Sequence, residues 1–462
     1  MKVQRPTTPQ TQSLSSTTPS KTPATTQAAA TAQVQKGWSA QGPQAAKKVS
    51  TAAPTAPPPS GFRSAAFEAR LDAETKSRNV QGNTVSMLYD GVQSFAEREK
   101  MISGAKHSVC FQTFIFNSDE TGWKLANQLA AKAKEGVQVR VIYDAVGSGR
   151  ADPKMFEMMK QAGVDVRAYG EKWKVWDIND RWHEKNLIVD GQTAVLGGMN
   201  IADEYALGGS GKMVLSRGGG KDGKGTEAWR DTDVKLEGPA VRDSMNAFLR
   251  NWNEVGAPIS EADKAKLYPP LVPKEGGPSV RVVQHNPEVK GIEEASTRLY
   301  KTAIETATKS ITIENAYFLP PPEIRKALID AAKRGVDVKV MTNSREANDM
   351  GFVSDAARHF YDDLMKAGVK IYEKHGGTLH SKTATFDGDF SIVGSVNMNG
   401  RSKNTDAEIA MAVTDPKTAK SLEERFAGGL KETKQITLGE LKKESFVTNL
   451  KQWALSTLAW TF

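Results

Sequence analysis

Two stretches of the 462-residue chain carry the same reactive side chains at the same spacing. The first runs His183-Glu184-Lys185, then Asp190, then Gly197-Gly198-Met199-Asn200. The second runs His380-Ser381-Lys382, then Asp387, then Gly394-Ser395-Val396-Asn397. In both, four residues separate lysine from aspartate and six separate aspartate from the first glycine. One His-x-Lys is commonplace on a surface strand, whereas two copies in matching 18-residue frames call for a shared chemical cause. Two imidazoles let one attack as a nucleophile while the other protonates the leaving group. Two ammonium groups and two carboxamides can hold the charge that develops on a phosphoryl group. Phosphodiester chemistry without a metal or other cofactor fits this set, and no His, Asp and Glu residues show a metal-ligand spacing.

The elements that position these residues are legible around them. Leu187-Ile188-Val189 and Thr383–Phe386 read as strands, Ala194-Val195-Leu196 and Ser391-Ile392-Val393 as their returning partners, with a tight Asp-Gly turn between. Residues two apart on a strand point the same way, so His and Lys of each copy project together and the Asn at the end of the return can join them. Asp190 and Asp387 sit in the turn and are expected to serve its hydrogen bonding. The framework upstream repeats too, at a period close to 200 residues, which means domain duplication. Val109–Phe116, a helix ending at Lys134-Glu135-Gly136 and Val137–Tyr143 correspond to Ile311–Phe318, Glu323–Arg334 with Gly335, and Val336–Met341. Alternating strands and helices of this kind imply an α/β fold, a mixed sheet covered by helices, in each half. Tyr268–Pro278 reads as the linker between halves.

The formal charge of +8 is concentrated at one end. Lys2, Arg5, Lys21, Lys36, Lys47, Lys48 and Arg63 stand in residues 1–63 without any Asp or Glu, leaving +1 for the rest. A near-neutral body argues against a broad nucleic-acid face. Residues 1–60 are rich in Thr, Ser, Ala, Gln and Pro and lack an apolar period, so a disordered tail over 1–63 is expected. A charged helix around Ala66–Ser77 is expected to lead into a first strand near Thr84–Tyr89. The domains then run 81–260 and 279–430, with a C-terminal extension over 431–462. No apolar run is long enough to span a bilayer and no Sec-type signal peptide is visible, so a cytoplasmic or peripheral membrane location is favoured, with non-classical export as the alternative. The single Cys110 excludes an intrachain disulfide and reads as a core residue.

The paired motifs closely resemble those of the phospholipase D superfamily, H-x-K-(x)4-D-(x)6-G-[GS]-x-N, over about residues 81–430. The flanks Gly197–Tyr205, Trp229-Arg230-Asp231-Thr232, Glu237–Val241 and Glu314–Pro320 look most like bacterial cardiolipin synthases and related phosphatidyltransferases. The resemblance implies two duplicated α/β sandwich domains related by pseudo-two-fold symmetry, their motifs meeting at the interface. It also implies a phosphohistidine on His183, with His380 as acid and later base, the reverse assignment remaining open. Lys185, Lys382, Asn200 and Asn397 would bind phosphoryl oxygens. Alignment of Gly238-Pro239 with Asp415-Pro416 sets Asp231 opposite Glu408, and these acids are expected to support His183 and His380 respectively.

The substrates implied are a glycerophospholipid and an alcohol or water acceptor, with peripheral membrane contact and one chain sufficient for a whole site. A nuclease of the same superfamily and a non-catalytic lipid- or phosphate-binding module are the alternatives. The glycine-rich stretch Leu207–Glu227 mimics a P-loop at Gly218, Gly223 and Lys224, but Gly225 stands where Ser or Thr is required, and a flexible loop is expected. Trp173, Trp176 and Trp182 are expected to pack the domain. His107, His285, His359 and His375 read as satisfied core or surface histidines. Trp453, Leu455, Leu458, Trp460 and Phe462 either dock onto the body or touch lipid.

Overall fold

The computed structural model describes residues 61–170, 180–206 and 229–443, together with 452, 454 and 455. The expected tail over 1–60, Trp173, Trp176, the glycine-rich stretch 207–228, Trp453, Leu458, Trp460 and Phe462 lie outside the described residues.

The first half contributes β1 (Thr84–Tyr89), β2 (Ser108–Thr113), β3 (Gln138–Asp144), β4 (Asp165–Tyr169), β5 (Arg181–Trp182), β6 (Asn186–Val189), β7 (Thr193–Gly197) and β8 (Thr232–Glu237). The second contributes β9 (Ser279–His285), β10 (Ser310–Asn315), β11 (Asp337–Asn343), β12 (Lys370–Lys374), β13 (Lys382–Phe386), β14 (Phe390–Gly394), β15 (Asp406–Thr414) and β16 (Thr433–Gln435). One sheet has the order β1-β8-β7-β6-β2-β3-β4. The other repeats it as β9-β15-β14-β13-β10-β11-β12, with β16 added beside β12. In each, β2-β3-β4 or β10-β11-β12 are parallel, and the motif hairpins β6-β7 and β13-β14 run antiparallel.

The layering follows from strands that are apolar on both faces. Leu187, Val189 and Val195 turn outward to helices of the first half, whereas Ile188, Ala194 and Leu196 turn to a central core. That core also takes Ile409, Met411 and Val413 of β15. Ala410, Ala412, Phe386 and Ile392 face the helices of the second half. The result is helix, sheet, sheet, helix, with the two sheets sharing one apolar interior.

The helices are built as their sequences require. Asp119 caps Glu120–Lys134 by accepting from Gly122 N–H at 3.0 Å, and Gly136 leaves that helix at φ +90°. Pro322 opens the counterpart Pro322–Lys333, which Gly335 leaves at φ +93°.

Two boundaries differ from the sequence expectation. Gly61–Arg63 belong to the folded body: Phe62 is buried and stacked on Phe390 at 5.2 Å, and Arg63 Nε donates to Asp389 Oδ2 at 2.9 Å. The helix Ala65–Thr75 docks on the second half, where Phe67 and Leu71 join Leu299, Ala303 and Phe386. Composition marks the polar run before Phe62 but not the long-range contacts that end it. In the C-terminal extension, Ile436, Leu441 and Leu455 pack on that same core. Trp182 is buried and stacked on Tyr169 at 4.0 Å, and the buried Cys110 thiol is pushed up to about 12 by desolvation. No helix among the described residues is long and apolar enough to cross a membrane.

Candidate active site

Both histidines enter the seam between the halves on strand-like backbone that is bonded to the opposite half. β5 pairs with the start of β15, and His183 N–H donates to Ala407 O at 2.9 Å. In the counterpart, Arg230 bridges Leu379 and His380 N–H donates to Arg230 O at 2.7 Å. Each histidine is thereby placed against a carboxylate of the other half. His183 Nδ1 lies 3.1 and 3.0 Å from Glu408 Oε1 and Oε2, and His380 Nδ1 lies 2.7 Å from Asp231 Oδ2. This reverses the expected pairing of Asp231 with His183 and Glu408 with His380. Aligning the halves identifies the two acids as equivalents, but the exchange arises from the crossed backbone pairing at the seam, which no alignment within one chain displays. A carboxylate on Nδ1 fixes the tautomer and leaves Nε2 of each ring for chemistry.

The two acids differ in surroundings. Glu408, fully buried, takes hydrogen bonds from Ser402 Oγ at 2.5 Å and from Ser395 Oγ. Burial pushes it up to about 7, against the pull of Lys185 and the two hydroxyls. Asp231 accepts from Thr232 N–H at 2.7 Å. Burial drives its carboxyl upward, but the His380 imidazole and Lys382 outweigh this and hold it below the ordinary range. The motif's small residues follow from close neighbours, Asp231 among them. A Cβ on Gly198 would stand 2.2 Å from Asp231 Oδ1, and one on Gly197 would stand 2.3 Å from Asp233 Oδ1. At the position equivalent to Gly198, Ser395 instead contributes a donor to Glu408. Gly394 is confined by Ile409 O, 2.4 Å from where its Cβ would lie.

The two lysines are buried, each bonded to the carbonyl of its own motif histidine. Lys185 Nζ donates to His183 O at 2.5 Å, and Lys382 Nζ donates to His380 O. Burial lowers Lys185 to about 7 and Lys382 to about 8, and each feels both Glu408 and Asp231. Burial, then the two lysines, pushes the His183 imidazole well below its usual value. Burial and Lys382 lower His380 to about 4, opposed by Asp231. An anionic phosphodiester between the lysines would offset the repulsion that disfavours the imidazolium forms.

The asparagines hold the turns and border the site. Asn200 Oδ1 accepts from Ile115 N–H at 3.1 Å, and its Nδ2 donates to Tyr205 Oη at 2.9 Å. Asn397 N–H donates to Ser402 Oγ at 3.2 Å, and its buried Oδ1 has no hydrogen-bond partner among the described residues. Asp190 and Asp387 lie away from the histidines. Asp190 accepts from the N–H groups of Lys106, His107 and Ser108 at 2.7–2.9 Å, and Asp387 from those of Thr308, Lys309 and Ser310 at 2.7–3.0 Å.

Several site residues lie outside the two repeated frames. Ser402 reaches Glu408 from the helix Gly400–Asn404, and Phe114 stands 5.2 Å from the His183 ring. Tyr205 and Trp229 stand 5.2 and 5.4 Å from His380. Glu184, turned away from its neighbours, accepts from Gln284 Nε2 and Asn251 Nδ2, both at 2.8 Å. His285 departs from the satisfied histidine expected: it is buried opposite Glu408 across β9 and β15, with neither ring nitrogen hydrogen-bonded among the described residues. No group of three His, Cys, Asp or Glu residues that could hold a metal ion occurs among the described residues.

Residues 99–207 and 300–429 match the family model described as "Cardiolipin synthase, PLD-like domain". The chain is 31% identical over 391 residues to the probable cardiolipin synthase YwiE of Bacillus subtilis (strain 168), covering 82% of this chain and 74% of that one. It is 32% identical over 377 residues to the major cardiolipin synthase ClsA of the same strain, covering 81% and 74%. The crystal structure of phosphatidylserine synthase from Haemophilus influenzae Rd KW20 shares the fold, with a TM-score of 0.64 at 14% identity over 86% of this chain and 100% of that one.

Proposed function

The chain belongs to the cardiolipin synthase family of phospholipase D-like proteins, and from that premise we propose that it transfers a phosphatidyl group between glycerophospholipids through a phosphohistidine. The observation that carries the reading is the crossed pair of dyads, His183 with Glu408 and His380 with Asp231, enclosing Lys185 and Lys382.

His183 Nε2 attacks phosphorus while the bond to the departing alcohol oxygen breaks. The imidazolium of His380 gives that oxygen its proton. A hydroxyl of a second lipid then enters, loses its proton to the neutral His380 and attacks phosphorus as the P–N bond breaks. With phosphatidylglycerol as donor and acceptor, the products are cardiolipin and glycerol. The ionised Asp231 favours the cationic form of His380, which suits the acid. Burial and the two lysines, which hold the His183 imidazole well below its usual value, keep that ring neutral, which suits the nucleophile. Lys185 and Lys382, joined by the remaining N–H of the Asn200 amide and by Asn397, hold the phosphoryl oxygens as charge builds. The site is completed within one chain, and contact with the bilayer is peripheral.

The test is product analysis. Purified protein, with excess chelator, is given phosphatidylglycerol vesicles and a soluble short-chain analogue, with single- and double-stranded DNA in parallel. Mass spectrometry should show cardiolipin and glycerol. Phosphatidic acid alone would make the protein a hydrolase, and DNA cleavage without lipid turnover would remove the lipid reading. Turnover lost to chelator on the soluble analogue, and restored by a divalent ion, would contradict the metal-independent mechanism.

A further inference from the structure

Away from the histidines, an open depression is bordered by Lys76, Arg78, Arg250 and Lys290, with Asp243 as the carboxylate in its lining. We propose that it is a second phosphate-recognition site, taking a phosphate oxyanion independently of the phosphatidyl transfer carried out between His183 and His380. The inference does not rest on the transferase reading.

Four cations and one carboxylate border the depression, with the buried Glu184 near Arg250 and Glu293 near Lys290 as the further acids beside it. Asp243 is already engaged by Arg78, whose Nη2 lies 3.2 Å from Asp243 Oδ1. Lys76, Arg250 and Lys290 form no salt bridge among the described residues. Charge of one sign gathered around a concavity raises the local concentration of the opposite ion.

The donors are also held in place. Arg250 Nε donates to Gln284 Oε1, and Gln284 is itself anchored by donating to Glu184 at 2.8 Å and to Asn251 Oδ1 at 3.0 Å. This fixes the guanidinium plane and leaves both terminal amino groups for a ligand, a fork that matches two phosphate oxygens. Tyr268 Oη donates to Asn246 Oδ1 at 2.5 Å, which leaves the amide N–H groups of Asn246 to act as donors. Lys76 adopts a left-handed backbone, φ +52°, immediately after the helix Ala65–Thr75. Its Cγ lies 3.8 Å from where a Cβ on Gly291 would stand, so its stem lies along the loop that carries Lys290. Val282, Val289 and Ile292 add apolar lining.

The shared chemistry is a phosphate oxyanion, whose source is either a lipid head group or free phosphate. The full chain is compared with its Lys76→Glu/Lys290→Glu variant, and with Lys76→Gln/Lys290→Gln as the milder change. Turnover of a soluble short-chain substrate should be unchanged in all three, showing that the fold and the histidine site are intact. Calorimetric titration with inorganic phosphate should resolve two classes of site in the parent, one of them at least about tenfold weaker in the charge-reversed variant and less affected in the Gln variant. Co-sedimentation with vesicles of phosphatidylcholine, with and without phosphatidylglycerol, assigns the source. Loss of the phosphatidylglycerol-dependent part identifies a head group, whereas loss confined to the calorimetric arm identifies free phosphate. Phosphate titrations and vesicle binding that are the same in parent and variants would overturn the proposal.

Discussion

His183 leans on a glutamate that two serine hydroxyls also hold, whereas His380 leans on an aspartate held by a backbone amide. In the proposed mechanism the lysines bind phosphate in their cationic form, and burial makes both weak enough to titrate near neutrality. Lys185 falls to about 7 and Lys382 to about 8, so each is charged below and neutral above its own value. The rate constant kcat/KM should therefore fall as pH rises through about 7 to 8. Lys185→Arg keeps the charge at all these pH values and leaves Lys382, at about 8, to set the alkaline limb. It should move the alkaline limb upward while lowering the rate at pH 6 by up to about 10²-fold, because the longer group displaces the phosphate. A pH profile measured on a soluble substrate checks this, and an alkaline limb that stays where it was would contradict it. The reactive types and their spacing were readable in the sequence. The contact of Ser402 with Glu408, and of Tyr205 and Trp229 with His380, was not, because each residue reaches its partner through the fold rather than through a repeated frame.

At the scale of elements, the conspicuous motif aspartates act on the framework. Asp190 and Asp387 take φ +52° and +53°, followed by Gly191 and Gly388 at +62° and +69°. These are the positive angles of a type I′ hairpin turn, and each carboxylate reaches across to the first N–H groups of the neighbouring strand. Three N–H bonds and one from Thr308 Oγ1 to the Asp387 carboxylate clamp β13 to β10, and three N–H bonds to Asp190 join β6 to β2. Asp387→Ala leaves those donors to water and puts alanine at a positive φ. It should lower unfolding stability by about 2–3 kcal/mol. Turnover per folded molecule should stay within a few-fold. Urea unfolding and soluble-substrate assays measure the two effects, and a rate loss as large as that of a histidine variant with unchanged stability would return Asp387 to the chemistry. The Asp-Gly turns and the strands around them were legible because their period and turn residues are local. The docking of Phe62 and the Ala65–Thr75 helix onto the second half was not, since it depends on residues about 230 to 330 positions away.

Across the whole molecule, duplication yields a site that neither half contains alone. The repeated strand order could be anticipated from the repeated sequence, but the exchange of carboxylates could not, because a parallel bridge of a few residues decides it at the seam. Each half brings one imidazole together with the carboxylate that supports the other's imidazole, so both dyads are assembled only when the sheets close on their shared core. The most direct test is to trap the intermediate on the full-length His380→Ala chain with a phosphodiester bearing an activated leaving group, which departs without a proton from the acid. Without the base needed for the second step the phosphoryl group should persist, and peptide mapping at alkaline pH should place it on His183 at close to one per chain. A phosphoryl group found on another residue, or none found while the substrate still turns over, would contradict the two-histidine account.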